Sequence, residues 1–377
     1  MIMKRTGERF KIVPIDRAAH ERMFQRLRRT RFPFQGAIEL TRRCNLRCPY
    51  CYIPPLTGPG REMETAMIFS LIDQAASAGC LFLTLTGGEP LFREDYPAIH
   101  RHALEKGIMV AVFTNGTLID RKAARFFRDY PPFCIDITLP GITRETYERV
   151  SGRRGSWERC REAIRLLREY RVTFRLKTVV STLNAHELAR IKAFARRIKT
   201  VHRFDALICR RLDGDAGPAR FRLSPEEIVR LDRRDGEKWE EFVEYACRQY
   251  GASSSRRLYR CGGGVHSFHV TADGKLTLCA LETRHAYDLA RGSFTEGWET
   301  FLPRVRSIES APGNSCADCG IAVVCGNCPA WSALETGSPD QSSEFRCQVA
   351  RHRCTLLEED ERMTNALGKK KEALHPA

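Results

Sequence analysis

The segment TRRCNLRCPYCYIPP places Cys44, Cys48 and Cys51 within eight residues and brings no fourth cysteine close. Soft thiolate donors at such spacing suit zinc or an iron–sulfur cluster. A structural zinc site is closed by four protein ligands. A 4Fe–4S cluster also takes four, so three thiolates would leave one iron open to a small molecule. A second cysteine field fills the C-terminal third: Cys261, Cys279, Cys316, Cys319, Cys325, Cys328, Cys347 and Cys354. Within it, CADCGIAVVCGNC could by itself close a zinc site.

The sequence has 377 residues, of which 42% are hydrophobic and sixteen are cysteine. No apolar run is long enough to span a bilayer, which excludes a transmembrane helix. The N-terminus MIMKRTGERFKIVPIDR lacks the apolar stretch of a secretory signal, so a cytoplasmic protein is expected. In a reducing compartment so many cysteines argue for metal or redox chemistry over disulfides. A net charge of +16 would suit a nucleic-acid binder. Buried thiolates and sulfides would offset that charge, which alone decides nothing.

The elements that must position these cysteines alternate regularly. Strand candidates are AIEL (37–40), LFLTLT (81–86), MVAVFT (109–114), CIDITL (134–139), FRLKTVV (174–180) and FDALIC (204–209). Between them run helical patterns. One covers 65–79, with Thr65 as N-cap and Gly79 as stop. Another covers 156–170, where Trp157, Cys160, Ile164 and Leu167 share a face. Six strand–helix units predict a parallel sheet and an α/β fold: a partial (β/α)6 TIM-like barrel, with chemistry at the strands' C-terminal ends. DGDAGPARF (213–221) breaks the pattern, and a long helix capped by Ser224, with Pro225 in its first turn, follows. The expected organisation is a basic extension over 1–35, a core over 36–215, a helical linker over 216–250, a small cysteine-rich iron–sulfur domain over 251–355 and a tail over 356–377.

The first cysteine loop follows the first core strand, and its spacing, with Tyr50 just before Cys51, resembles the signature of the radical S-adenosylmethionine (radical SAM) superfamily. TGGEP (86–90) and TNGT (114–117), ending the next two strands, resemble that family's further motifs. The resemblance implies a 4Fe–4S cluster on Cys44, Cys48 and Cys51 whose open iron binds SAM. Reductive cleavage of SAM would then yield a 5′-deoxyadenosyl radical. Gly87, Gly88 and Glu89 would cradle the methionine amino group, with Tyr50 and Asn115 near the adenosine and Thr138 near the ribose. Nucleic acid becomes a disfavoured partner, since a zinc-and-nucleic-acid protein leaves GGEP and TNGT unexplained.

The C-terminal pattern C-x12-G-x4-C, C-x2-C-x5-C-x2-C, then C resembles the SPASM extension of the same superfamily. It departs from it in having two residues, not three, before Cys328. The resemblance implies two auxiliary 4Fe–4S clusters, one on Cys261, Cys279 and Cys328, the other on Cys316, Cys319, Cys325 and Cys347. Cys247, Cys354, a non-cysteine group or an open site would complete the first. Cys80, Cys134, Cys160 and Cys209 read as small buried hydrophobes. Among SPASM-type enzymes, sulfatase-maturase-like chemistry is disfavoured because Ala280, not a carboxylate, follows Cys279. The expected activity is modification of a ribosomal peptide or protein, as a crosslink or other change. The alternative is a small-molecule precursor in haem or quinone-cofactor biosynthesis. The catalytic residue is not identified. An electron donor such as flavodoxin or ferredoxin is expected. So is leader recognition by a separate protein or by the basic segment 17–32.

Overall fold

A computed structural model describes residues 2–6, 9–13, 30–55, 61–249, 256–317 and 319–360. Strands β1 (Ile2–Thr6) and β2 (Arg9–Val13) form a separate antiparallel hairpin. The main sheet holds β3 (Gln35–Thr41), β4 (Phe82–Gly87), β5 (Met109–Thr114), β6 (Cys134–Thr138), β7 (Phe174–Val179) and β8 (His202–Asp205), parallel and side by side in chain order. Helices α1 (Thr65–Ser77), α2 (Tyr96–Glu105), α3 (Arg121–Asp129), α4 (Arg144–Ser151), α5 (Ser156–Glu169) and α6 (Leu188–Arg197) make the crossovers. Alternation along each strand separates two faces. Ile38, Leu40, Leu83, Leu85, Val110 and Val112 are fully buried in a core shared with Ile68, Ile72 and Ile99 of the helices. Glu39, Thr84, Thr86, Asp136, Arg175 and Lys177 take the opposite positions, so the concave lumen is polar. Burying the apolar stripe drives closure, while the polar face keeps a cavity open to chemistry.

The sheet continues into the C-terminal third. β9 (Ser267–Val270) pairs in parallel with β3, and β10 (Lys275–Thr277) and β11 (Tyr287–Asp288) extend it antiparallel. A Cβ at Gly36 would stand 2.1 Å from the Phe268 ring, so glycine is what lets β9 close onto β3. Phe268 packs in turn on Phe294 and Trp298.

Three local expectations shift. Glu64, not Thr65, is the N-cap of α1, because the Thr65 hydroxyl is drawn to Asp95 at 2.5 Å. The strand expected over FDALIC lies earlier, at His202–Asp205, where its backbone pairs with β7. The long helix after Ser224 is two, α7 (Pro225–Arg234) and α8 (Gly236–Gln249). They part at Asp235, whose carboxylate takes Lys192 Nζ at 2.6 Å and the Lys238 amide at 3.2 Å, capping the second helix. The boundary near 250 falls on residues outside those described, as do 17–29 of the basic segment and 361–377 of the tail. No helix among the described residues is long and apolar enough to cross a membrane.

Candidate active site at the strand ends

Cys44, Cys48 and Cys51 lie in the loop leaving β3, and the loop is stitched to its neighbours by backbone. The Gly88 amide donates to Thr41 O at 2.8 Å and the Glu89 amide to Arg43 O at 2.9 Å. Arg47 N donates to Ser151 O at 2.8 Å, tying the loop to the end of α4. Both motif glycines are demanded by this close approach. Gly87 has φ +132°, and a Cβ there would meet Thr41 O at 2.2 Å; at Gly88 it would meet Arg43 O at 2.4 Å.

The TNGT segment closes the third side. Asn115 Nδ2 donates to Asn45 Oδ1 at 2.9 Å and reaches Cys44 Sγ at 3.8 Å, while Asn45 Nδ2 donates to Thr117 Oγ1 at 2.8 Å. Glu89 is wholly buried and braces two strand ends. Its carboxylate accepts from Thr114 Oγ1 at 2.7 Å, Asn115 N at 2.8 Å and Leu91 N at 3.2 Å. Burial pushes its pKa up to about 7 against the pull of those three donors. The amino-group contact expected of Glu89 therefore has to use its remaining lone pairs.

Thr138 ends β6 on the lumen side, half-buried. Tyr50 packs its ring on Val150 and Ile208, and its buried hydroxyl has no hydrogen-bond partner among the described residues. A buried orphan donor beside three thiols fits a bound polar cofactor. Burial pushes the Cys48 thiol up to about 12, with Cys51 and Cys44 adding to it. Three such thiols become thiolates together only around a strong local cation, which inverts that logic. Cys44, Cys48 and Cys51 fit a 4Fe–4S cluster, which would supply the electron for reductive cleavage of SAM.

The C-terminal cysteines fall into two electrostatic neighbourhoods. After burial, Cys279 is pushed up by Cys328 and by Cys261, to about 12. Cys316 is pushed up, again after burial, by Cys347, Cys325 and Cys319. Among the described residues no three of these side chains form a group that could hold a single metal ion. Cys354, raised by burial to about 11, feels Cys319 and Cys325, and with Cys247 packs around Trp239, Val243 and Val324. Both candidates for completing the first trio are therefore placed beside the second group.

Two features were missed from the sequence. Cys209 is buried, as expected of a small hydrophobe, but its place near Cys328 was not foreseen. Arg222 links these segments: its Nε donates to Ile208 O at 2.6 Å, and its guanidinium pairs with Glu335 on α9 (Pro329–Thr336), which starts just after Cys328. A carboxylate also stands near Cys279 after all, three residues on. Glu282 N donates to Cys279 O at 3.1 Å. The Glu282 side chain is fully buried, accepting from Tyr259 Oη at 2.5 Å and Arg284 Nη2 at 3.1 Å. Burial would raise its pKa, but the Tyr259 hydroxyl and Arg284 outweigh it and hold Glu282 below the usual carboxylate range. It is a brace between the Cys261 and Cys279 segments. Nothing in residue spacing announces either feature, because both depend on contacts distant in sequence. A surface cleft of about 550 Å³ is lined by Arg43, Glu62, Phe92 and Arg93, from the cysteine loop and the segment after GGEP. Within it Arg43 pairs with Glu62 and Arg93 with Asp95.

Comparison with known proteins follows the same outline. Residues 38–195 match the model of the radical SAM superfamily. The AdoMet-dependent heme synthase of Methanosarcina barkeri is 27% identical over 82% of this chain and 94% of its own length. The PqqA peptide cyclase of Bradyrhizobium diazoefficiens is 28% identical over 66% of each. Streptococcus suis SuiB, solved with S-adenosylmethionine, superposes with TM-score 0.66 at 15% identity, over 90% of this chain and 83% of SuiB. That likeness speaks for the fold. With its cysteine loop, GGEP and TNGT segments converging at three successive strand ends, residues 38–195 form a radical SAM domain.

Proposed function

We propose that the protein cleaves S-adenosylmethionine reductively and directs the resulting 5′-deoxyadenosyl radical at a ribosomal peptide or protein, forming a crosslink or other modification. The observation that carries the radical chemistry is the stitched loop, in which Gly88, Glu89 and Asn115 hold the three-cysteine segment from two neighbouring strands. Tyr50, Gly87, Gly88, Glu89, Asn115 and Thr138 would surround SAM. Cys261, Cys279 and Cys328 would hold one auxiliary cluster and Cys316, Cys319, Cys325 and Cys347 another. These would pass on the electron left after hydrogen abstraction and bond formation, with a flavodoxin or ferredoxin as external donor. The peptide reading draws on relatives named for peptide work, the PqqA cyclases and the subtilosin biosynthesis protein AlbA of Bacillus subtilis. The fold shared with SuiB, also solved with its precursor peptide, supports it.

A specific observation favours a second reading. The heme synthase of M. barkeri aligns over nearly its whole length, whereas the peptide cyclase aligns over 66%. A tetrapyrrole substrate is therefore the alternative. The test measures 5′-deoxyadenosine released by reconstituted holoenzyme with SAM and dithionite. One arm adds iron coproporphyrin III and the other a pool of leader-bearing precursor peptides. Peptide-dependent release with a mass change in the peptide is expected. Release stimulated by the porphyrin alone would overturn the peptide reading.

A further inference from the structure

Among the described residues, two cations on the lumen face, half-buried Lys177 and exposed Arg203, have no carboxylate partner. Lys177 on β7 and Arg203 on β8 stand directly opposite in register, on the face away from the buried Leu176 and Phe204. Like charges so placed repel and destabilise a strand pair unless something lies between them. Among the described residues neither is paired with a carboxylate. The nearby acids are engaged elsewhere: Asp136 is held by Arg175 through two bonds, at 3.0 and 2.5 Å, and Asp205 accepts from Leu207 N at 2.8 Å. Lys177 Nζ lies 4.1 Å from the centroid of the Phe113 ring, a contact that orients the amine without neutralising it. Burial, together with Arg175 and Arg203, lowers the pKa of Lys177, and Asp136 and Asp205 oppose this. A half-buried cation without a counter-ion is costly, and an arriving anion relieves that cost.

We infer that Lys177 and Arg203 form a subsite for a carboxylate of the substrate. This deepens the proposed function by naming a group the substrate must present. The place is apt, because Lys177 is the register partner of Thr138, at the strand ends where SAM is expected. A carboxylate matches the pair better than a phosphate does. Asp136 and Asp205 lie near enough to act on Lys177 and would repel a dianion. Both readings of the substrate can supply the group, as an acidic residue or C-terminus of a peptide or as a tetrapyrrole propionate.

The test titrates reconstituted holoenzyme, with SAM bound, against two matched pairs of probes. One pair is coproporphyrin III and its tetramethyl ester; the other is a short Glu-containing peptide and its Gln counterpart with amidated C-terminus. In the wild type, at least one acid should bind tenfold or more tightly than its neutral partner. That preference should shrink to under threefold in the Lys177→Met/Arg203→Gln double variant and persist in Lys177→Arg. A preference in the porphyrin pair alone would uphold the subsite while the peptide reading failed. No preference in either pair, or one that survives the double variant, would overturn the subsite. A loss of SAM affinity in Lys177→Met matching any loss of acid binding would also overturn it, assigning the cation to the methionine carboxylate.

Discussion

The two cysteine fields are built in opposite ways. Cys44, Cys48 and Cys51 ride on a loop pinned by backbone hydrogen bonds to β4 and α4 and by Asn115. Their frame is a sheet whose apolar face is buried under helices. The C-terminal field hangs on short pieces: β10 has three residues, and the helix ending at Cys325 has four. Such pieces are too short to be stable by themselves. Side chains brace them instead, Glu282 with Tyr259 and Arg284, and Arg346 with the carbonyls of Cys325 and Gly326. One field is shaped by the protein before any metal arrives. The other, if it holds the auxiliary clusters proposed, would draw much of its stability from them.

The largest expected effect breaks the comparison in one step. Removing iron with a chelator under anaerobic conditions should strip hydrogen-exchange protection from residues 311–347 by a hundredfold or more. Strands β3 to β7 should change by less than tenfold. Equal loss in both regions would show that the core loop is no more preformed than the C-terminal field.

Gly88→Ala sharpens the same contrast from the other side. Its methyl would press on Arg43 O and Arg42 O at 2.4 and 2.7 Å. The strain should cost about 1–3 kcal/mol and displace the cysteine loop. Iron should fall by about four per chain, one cluster's worth, with the C-terminal irons retained. Full iron with unchanged thermal stability would contradict the stitched-loop account.

The smallest effect concerns the frame. His100 on α2 is fully buried between Tyr96 Oη at 3.0 Å and Tyr130 O at 3.1 Å. Burial lowers its pKa to about 4, partly countered by the Tyr130 carbonyl. The unfolded chain takes up this proton near pH 6.5, where folded protein does not. Stability from this group is thus complete above pH 6.5 and falls as pH drops toward 4, by at most about 3 kcal/mol. His100→Gln should flatten that part of the pH–stability curve, measured by urea unfolding of chelated protein. An unchanged slope would remove His100 from the account.

Much of the candidate site was legible because its signals are local. The period-two and helical patterns follow from neighbours a few residues apart, so strands β3 to β7 lie within two residues of where the sequence places them. Turn chemistry is local too. Ser224 makes its capping box, and Gly79 with φ +91° follows the end of α1. The three cysteines were found by type and spacing and the GGEP and TNGT residues by resemblance, and their places at three strand ends follow from the alternation.

Contacts between distant segments decided the rest. Asp235 breaks a helix because Lys192, 43 residues earlier, takes its carboxylate. β9 joins β3 across more than 200 residues, so the cysteine-rich third shares the barrel's sheet, which no periodicity can announce. The same holds for the Cys209 neighbourhood, for Glu282 behind Cys279, and for Lys177 opposite Arg203. A residue's type and spacing state what chemistry it can do. Whether its charge is already matched depends on which strand lies beside it, and only the folded chain decides that.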